Sequence, residues 1–168
     1  MRVRRRLSVL LALGLAACQQ AGAPARVEAP ADSAAGETAF DLAGPGGAAL
    51  VVPVWLNGEG PFDFVLDTGA TLTCVDHAVA ERLRLPRDRR VVGVGAGIGE
   101  AGPMRLVRLD SLRVGRARGE DLTVCALDLA HIRRLGLDAD GLLGLNFLRS
   151  FRVTVDFERE VLLLQDPD

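Results

Sequence analysis

Residues 62 to 69 constrain this chain more than any other stretch. Phe62, Phe64 and Leu66 alternate with Asp63 and Val65, and a period of two along the chain marks a strand with one face buried. The strand runs straight into Asp67-Thr68-Gly69. A carboxylate is thereby delivered to a turn at the end of a half-buried strand, with a hydroxyl and a glycine directly behind it. Gly69 permits a positive φ or a close approach of backbone, and main-chain N–H groups in such a turn hold a carboxylate in its charged form. A strand closing in an Asx-type turn accounts for the bare triplet equally well, because short polar side chains favour turns for their own sake.

The rest of the composition excludes most other chemistries. The chain has 168 residues, and setting aside its N-terminal segments leaves about 125, enough for one domain. All 20 basic residues are Arg, so no lysine is present for a P-loop, a Schiff base or a Ser-Lys dyad. None of the four serines lies in G-x-S-x-G, which leaves serine hydrolase chemistry without its nucleophile elbow. The net charge of −2 becomes −6 without Arg2, Arg4, Arg5 and Arg6, at 16 basic against 22 acidic residues. Nucleic acid is not an expected partner of that balance.

Those four arginines precede an apolar run, Leu7 to Ala16, too short to span a bilayer, which takes about 20 residues. Residues 1–17 therefore read as a secretion signal. Leu15-Ala16-Ala17-Cys18 resembles a bacterial lipobox, which implies a lipid on Cys18 and a membrane anchor facing the periplasm. Gln19 is not the aspartate that commonly retains lipoproteins at the inner membrane, and this leans toward the outer membrane. Arg4-Arg5-Arg6 resembles a twin-arginine signal, although a plain basic n-region explains it as well. From Cys18 to Ala39 the chain is rich in Ala, Gly and Pro without apolar periodicity. It reads as a flexible tether with a root-mean-square reach of about 25 Å.

The folded domain is expected over residues 40–168. Val51 to Leu56 reads as a strand, Asn57 to Gly60 as a hairpin turn, and Pro61 to Leu66 as the returning strand. Thr71 to Val75 is extended, and Asp76 caps a short helix with Val79, Leu83 and Leu85 buried and Pro86 beyond its end. His77 in its first turn reads as a solvated residue. Met104 to Val114 and Leu122 to Leu127 are further strands around a turn region, Gly115 to Gly119. His131 to Arg134 is a short solvated turn or helix. Phe151 to Phe157 and Val161 to Leu164 close the chain as a pair of strands. Val91 to Gly102 holds Gly93, Gly95, Gly97, Gly99 and Gly102. Its G-x-G-x-x-G match is followed by Pro103 and a strand where a dinucleotide site needs a helix.

Phe64 to Thr71 resembles the active-site loop of retropepsin-type aspartic proteases: hydrophobic residues, Asp-Thr-Gly, then Ala70 in the form found in retroviral and bacterial members. The glycine-rich stretch some 25 residues on resembles the family's flap, with Gly93, Gly95, Gly97 and Gly99 over the substrate. Gly141-Leu142-Leu143-Gly144 resembles its second signature, in which two apolar residues and a glycine pass beside the Asp-Thr-Gly loop before a short helix. The resemblance runs from Phe40 to Gln165 in the family's motif order. It implies a mostly β, single-lobe barrel with one or two short helices, functional as a homodimer and acting on protein or peptide substrate. Asp67, Thr68 and Gly69 would form the catalytic loop, with Thr68 hydrogen-bonded across the two-fold axis and Leu142, Leu143 and Gly144 beside it. No metal, cofactor or covalent intermediate is implied. The alternating glycines depart from the denser pairing of retroviral flaps, and the terminal strands of the retroviral dimer have no assignable equivalent in the sequence.

Hydrolysis of this kind needs two carboxylates about one water, and no second Asp-Thr/Ser-Gly exists in the chain. The other acid is expected from a second copy, with Asp140 the first candidate should it come from within. Two other readings stand beside this one. The same barrel can serve an envelope lipoprotein as a non-catalytic binding module, since fold does not fix function. Cys74-x-x-His77 with Cys125 and His131 supplies zinc-type ligands, while an oxidising envelope favours paired or buried cysteines instead.

Overall fold

The computed structural model describes residues 36–88 and 104–167. Cys18 and the glycines Gly93, Gly95, Gly97 and Gly99 lie outside them.

Two strands meet at Asn57-Gly58, where both residues take positive φ, 50° and 83°, as a two-residue turn between right-twisted strands requires. Strand β3 (Ala49–Leu56) enters the turn and β4 (Glu59–Leu66) leaves it, antiparallel. The alternation read from the sequence is the burial pattern found: Phe62 and Phe64 are buried and Asp63 is exposed. They pack with Val52, Val54 and Leu56 from β3 in one core. A register shift between Val54 and Leu56 bends β3, and its end, Trp55 and Leu56, pairs with β6 (Arg105–Val114). Arg113 lies over the Trp55 ring at 4.1 Å, so the bent corner carries a cation–π contact.

That second pairing closes the sheet. Strand β5 (Cys74–Asp76) lies parallel to β7 (Ala117–Leu127), and β8 (Gly141–Leu143) lies between β4 and β5. The ring runs β3-β4-β8-β5-β7-β6 and back to β3, with β2 (Asp41–Ala43) flanking β3. A closed barrel removes the edges of these strands from solvent competition, and the chain forms the mostly β, single-lobe barrel that the motifs implied. Strand β7 begins five residues earlier than Leu122, because only Gly115 and Arg116 are needed to reverse the chain. Gly119 lies inside the strand, where a Cβ would sit 3.0 Å from the Phe147 ring.

The terminal strands form a separate three-stranded sheet, β1 (Glu37–Ala39), β10 (Val161–Gln165) and β9 (Arg152–Asp156). Residues 37–39, placed in the tether by composition, are thus part of the fold: Thr38 is buried against its neighbours. Arg159 adds two hydrogen bonds to the Glu37 carboxylate, at 3.0 and 2.9 Å. The composition of 37–39 carries no sign of this, since the partner strand lies over a hundred residues away.

Helix α1 (His77–Arg82) starts where the cap was expected, with the Ala78 N–H donating to Asp76 Oδ1 at 2.9 Å. It buries Val79 and Ala80, with Leu85 beyond its end, while Leu83 is only half-buried. Helices α2 (Ala130–Arg134) and α3 (Leu145–Leu148) are single turns.

Candidate active site

Asp67 is the first residue past β4, and β8 holds it there. The strands run parallel with Leu66 beside Leu143, and the Asp67 N–H donates to the Leu143 carbonyl at 3.1 Å. The Gly69 N–H donates to Asp67 Oδ1 at 2.8 Å, which fixes one carboxylate oxygen and leaves the other for chemistry. Gly69 does not take a positive φ. Of its two expected uses, close approach is the one realised, since a Cβ would lie 3.2 Å from Asp67 Oδ1. Asp67 is half-buried, and Thr68 and Gly69 are exposed at the rim.

The second signature stands where the motif order placed it. Leu142 and Leu143 pair with Val65 and Leu66, and the chain then crosses directly behind the loop. A Cβ on Gly144 would lie 2.5 Å from the Leu72 carbonyl carbon and oxygen and 2.7 Å from the Thr73 nitrogen. Gly141 is equally enclosed, with the Phe64 ring and the Cys74 carbonyl in the space a Cβ would take. Both glycines are there to let two backbones touch. The crossing is sealed by hydrogen bonds from the Leu145 and Asn146 N–H groups to the Ala70 and Thr71 carbonyls, at 2.8 and 3.0 Å.

Two polar residues that sequence reasoning passed over complete this contact. The buried Thr73 accepts the Gly144 N–H on Oγ1 at 3.1 Å, and its own N–H donates to Asn146 Oδ1 at 2.7 Å. Asn146 Nδ2 donates to the Thr123 carbonyl at 2.9 Å. The only signal available beforehand was a lone amide between Leu145 and Phe147 in an otherwise apolar run.

Asp140 does not join Asp67. Its N–H donates to the Asp63 carbonyl at 2.8 Å, and its Oδ2 accepts the Asp63 N–H at 3.1 Å. Asp63 and Asp67 lie four residues apart along β4, so the two acids stand at opposite ends of β8, separated by about 13 Å at the rise of a strand. One water cannot span that distance.

The zinc-type reading is overturned by the cysteines. Cys74 and Cys125 face each other across β5 and β7 and are joined in a disulfide. His77 is half-buried, not solvated, with Nε2 3.1 Å from the Ala126 carbonyl oxygen, and His131 is exposed. Among the described residues no group of three His, Cys, Asp or Glu side chains is placed to hold a metal.

Asp76 is a buried acid with several partners. Beyond the cap it accepts the Leu129 N–H at 3.1 Å and Arg133 Nη1 at 3.0 Å. Burial pushes its carboxyl up, but the Ala78 and Leu129 N–H groups and the Arg133 guanidinium together outweigh it and hold it below the ordinary value of 3.8.

A lone Asp-Thr-Gly loop on a single-lobe barrel, backed by an apolar-apolar-Gly crossing, defines a class of acid hydrolase, and the chain belongs to the aspartyl protease family, whose model matches residues 52–147, more than half of it. Protein DDI1 homolog 1 of Rattus norvegicus is 30% identical over 119 residues, which are 70% of this chain and 27% of that protein. UBA domain-containing protein Mud1 of Schizosaccharomyces pombe is 35% identical over 116 residues, 67% of this chain and 32% of that protein. The chain thus spans at most about a third of the length of these curated relatives. A crystal structure of a retropepsin-like aspartic protease from Rickettsia conorii aligns with a TM-score of 0.47 at 20% identity, over 77% of this chain and 89% of that one.

Proposed function

We propose that the protein is an aspartic endopeptidase that works as a homodimer, with one Asp67 from each copy about a shared water. The observation that carries this reading is the placement of Asp67. It is a half-buried carboxylate on a braced turn, with one oxygen fixed by Gly69, and the first candidate partner within the chain, Asp140, is committed to Asp63 at the far end of β8. A two-fold contact between copies brings each residue to its own equivalent, and so supplies the missing acid at no cost in sequence. Two carboxylates that close share one proton and titrate as a pair. The ionised one takes a proton from water as it attacks the peptide carbonyl carbon, and the protonated one gives its proton to the carbonyl oxygen. Collapse of the tetrahedral species then breaks the C–N bond as the first acid returns its proton to the leaving nitrogen and the second takes back a proton from a hydroxyl of the diol, restoring the shared-proton pair.

The segment before the fold supports a setting as well. A lipidated Cys18 followed by the tether would hold this domain on the periplasmic side of the bacterial outer membrane, where substrates are envelope proteins or peptides and where the Cys74–Cys125 bond survives. Cys18→Ser tests the anchor. It should shift the protein out of the membrane fraction, and unchanged fractionation counts against the lipid. Asp67→Asn tests the chemistry, since the amide keeps the shape but cannot act as base. Loss of proteolysis with fold and dimer retained is expected, and undiminished cleavage would refute the assignment.

A further inference from the structure

We infer that Asn146 is a positioning residue for the Asp67 loop, acting with Thr73 as a clamp that sets where the carboxylate stands. The inference rests on the endopeptidase reading for its catalytic consequence, and on hydrogen bonds within the chain for its existence. Asn146 belongs to α3, which follows the Gly144 crossing, and touches the loop from behind. Its amide is used at both ends, with Oδ1 taking the Thr73 N–H and Nδ2 giving to the Thr123 carbonyl. Its own N–H donates to the Thr71 carbonyl. One side chain thereby joins three segments, namely the tail of the Asp67 loop, α3 and strand β7.

Thr73 is the point on which these bonds converge. It is fully buried, and each of its polar groups is committed. The N–H goes to Asn146, Oγ1 takes the Gly144 N–H, and the carbonyl takes the Cys125 N–H at 2.9 Å. The next residue, Cys74, is covalently tied to Cys125 on β7. The loop's tail is therefore fixed to the barrel wall on one side by the disulfide and on the other by the Asn146 amide. Between Asp67 and Thr73 the loop exposes Thr68, Gly69 and Thr71 on its outer side and is held from behind by the Leu145 and Asn146 N–H bonds to the Ala70 and Thr71 carbonyls. Its placement rests on that contact and on the anchored Thr73, and displacing a reacting group by about 1 Å lowers rates by roughly a hundredfold.

The amide is specific in a way that a space-filling residue is not. Aspartate keeps the acceptor for Thr73 but turns a second acceptor toward the Thr123 carbonyl, and alanine removes both bonds. If Asn146 positions the loop, Asn146→Ala and Asn146→Asp should both lower kcat by roughly 10- to 100-fold while KM changes by less than about threefold, because the substrate groove is left in place. The Thr73 amide should lose its protection from hydrogen exchange in Asn146→Ala and keep more of it in Asn146→Asp, which retains the acceptor, a readout that needs no activity. Wild-type protein and Asp67→Asn are run alongside. Inactive wild type with the Thr73 amide still protected by Asn146 refutes the endopeptidase reading while the clamp itself stands. Exposure of Thr73 with kcat unchanged overturns the positioning role, and so does unchanged protection in Asn146→Ala. Should Asn146→Ala fail to fold, Thr73→Ser and Thr73→Val read the same clamp. Serine keeps the acceptor for Gly144 and should retain most of kcat, valine should not, and equal kcat in the two overturns the inference.

Discussion

Replacing Asp76 by alanine tests how much its buried hydrogen bonds hold the start of α1 to the segment before α2. Three groups lose their acceptor at once. The Ala78 N–H is an N-cap bond, and losing such a cap costs about 1 kcal/mol. The Leu129 N–H is buried with its partner, and leaving a buried donor unmade costs about 1 to 3 kcal/mol. The Arg133 guanidinium adds little, because it is 40% exposed and keeps Asp128 at 3.4 Å. The sum is about 2 to 4 kcal/mol, or a fall in Tm of about 10 °C for a domain of this size. The acid dependence gives an independent check. The carboxyl is held below 3.8 in the fold, so its contribution is fully present above that value and is lost as pH falls through the folded pKa. Wild-type stability should therefore drop more steeply than that of Asp76→Ala as the pH falls below about 4, the ordinary carboxylate range. Chemical denaturation at fixed protein concentration, without reductant, measures both quantities. A loss below about 0.5 kcal/mol, the range of an ordinary surface change, or parallel acid limbs in the two proteins, would refute the reasoning.

Two further substitutions separate structure from chemistry at the loop. Gly144→Ala drives a Cβ into the backbone of Leu72 and Thr73 and should cost about 3 kcal/mol or more, whereas Gly69→Ala meets only Asp67 Oδ1 and should leave stability within about 0.5 kcal/mol while lowering activity. Equal melting temperatures for the two variants would contradict this. Reduction of Cys74–Cys125, which closes a loop with a separation of 51 residues, should cost about 2 to 4 kcal/mol. In Cys18→Ser protein denatured without reductant, thiol titration should find no free thiol, and a count of two would rule the bond out.

What was legible in the sequence was whatever local pattern dictates. The alternation at Phe62 and Phe64 and the Asp76 cap write their conformation into neighbouring residues and are found as read, while the hairpin turn expected over Asn57 to Gly60 closes at Asn57-Gly58, with Glu59 and Gly60 already in β4. What the sequence withheld depends on partners far along the chain. Residues 37–39 look like tether until β10 pairs with them. Thr73 has nothing local to mark it and Asn146 only its amide in an apolar run, because the bond between them crosses 73 positions. Glycines at 115 and 119 suggest a long turn before β7, while the turn uses only the first and the strand begins at Ala117. The cysteine pair was left open between bond and buried thiols, and only the register of β5 on β7 brings Cys74 opposite Cys125.

The shared dyad is tested most directly by mixing wild-type chains with Asp67→Asn chains under conditions of confirmed subunit exchange. If each site takes one Asp67 from each copy, a mixed dimer has a lone carboxylate and is inactive. Activity per total chain then falls as the square of the wild-type fraction, to about one quarter at equal mixing for an isologous pair. A linear fall, to about one half at equal mixing, would contradict the shared dyad and return the second acid to within the chain.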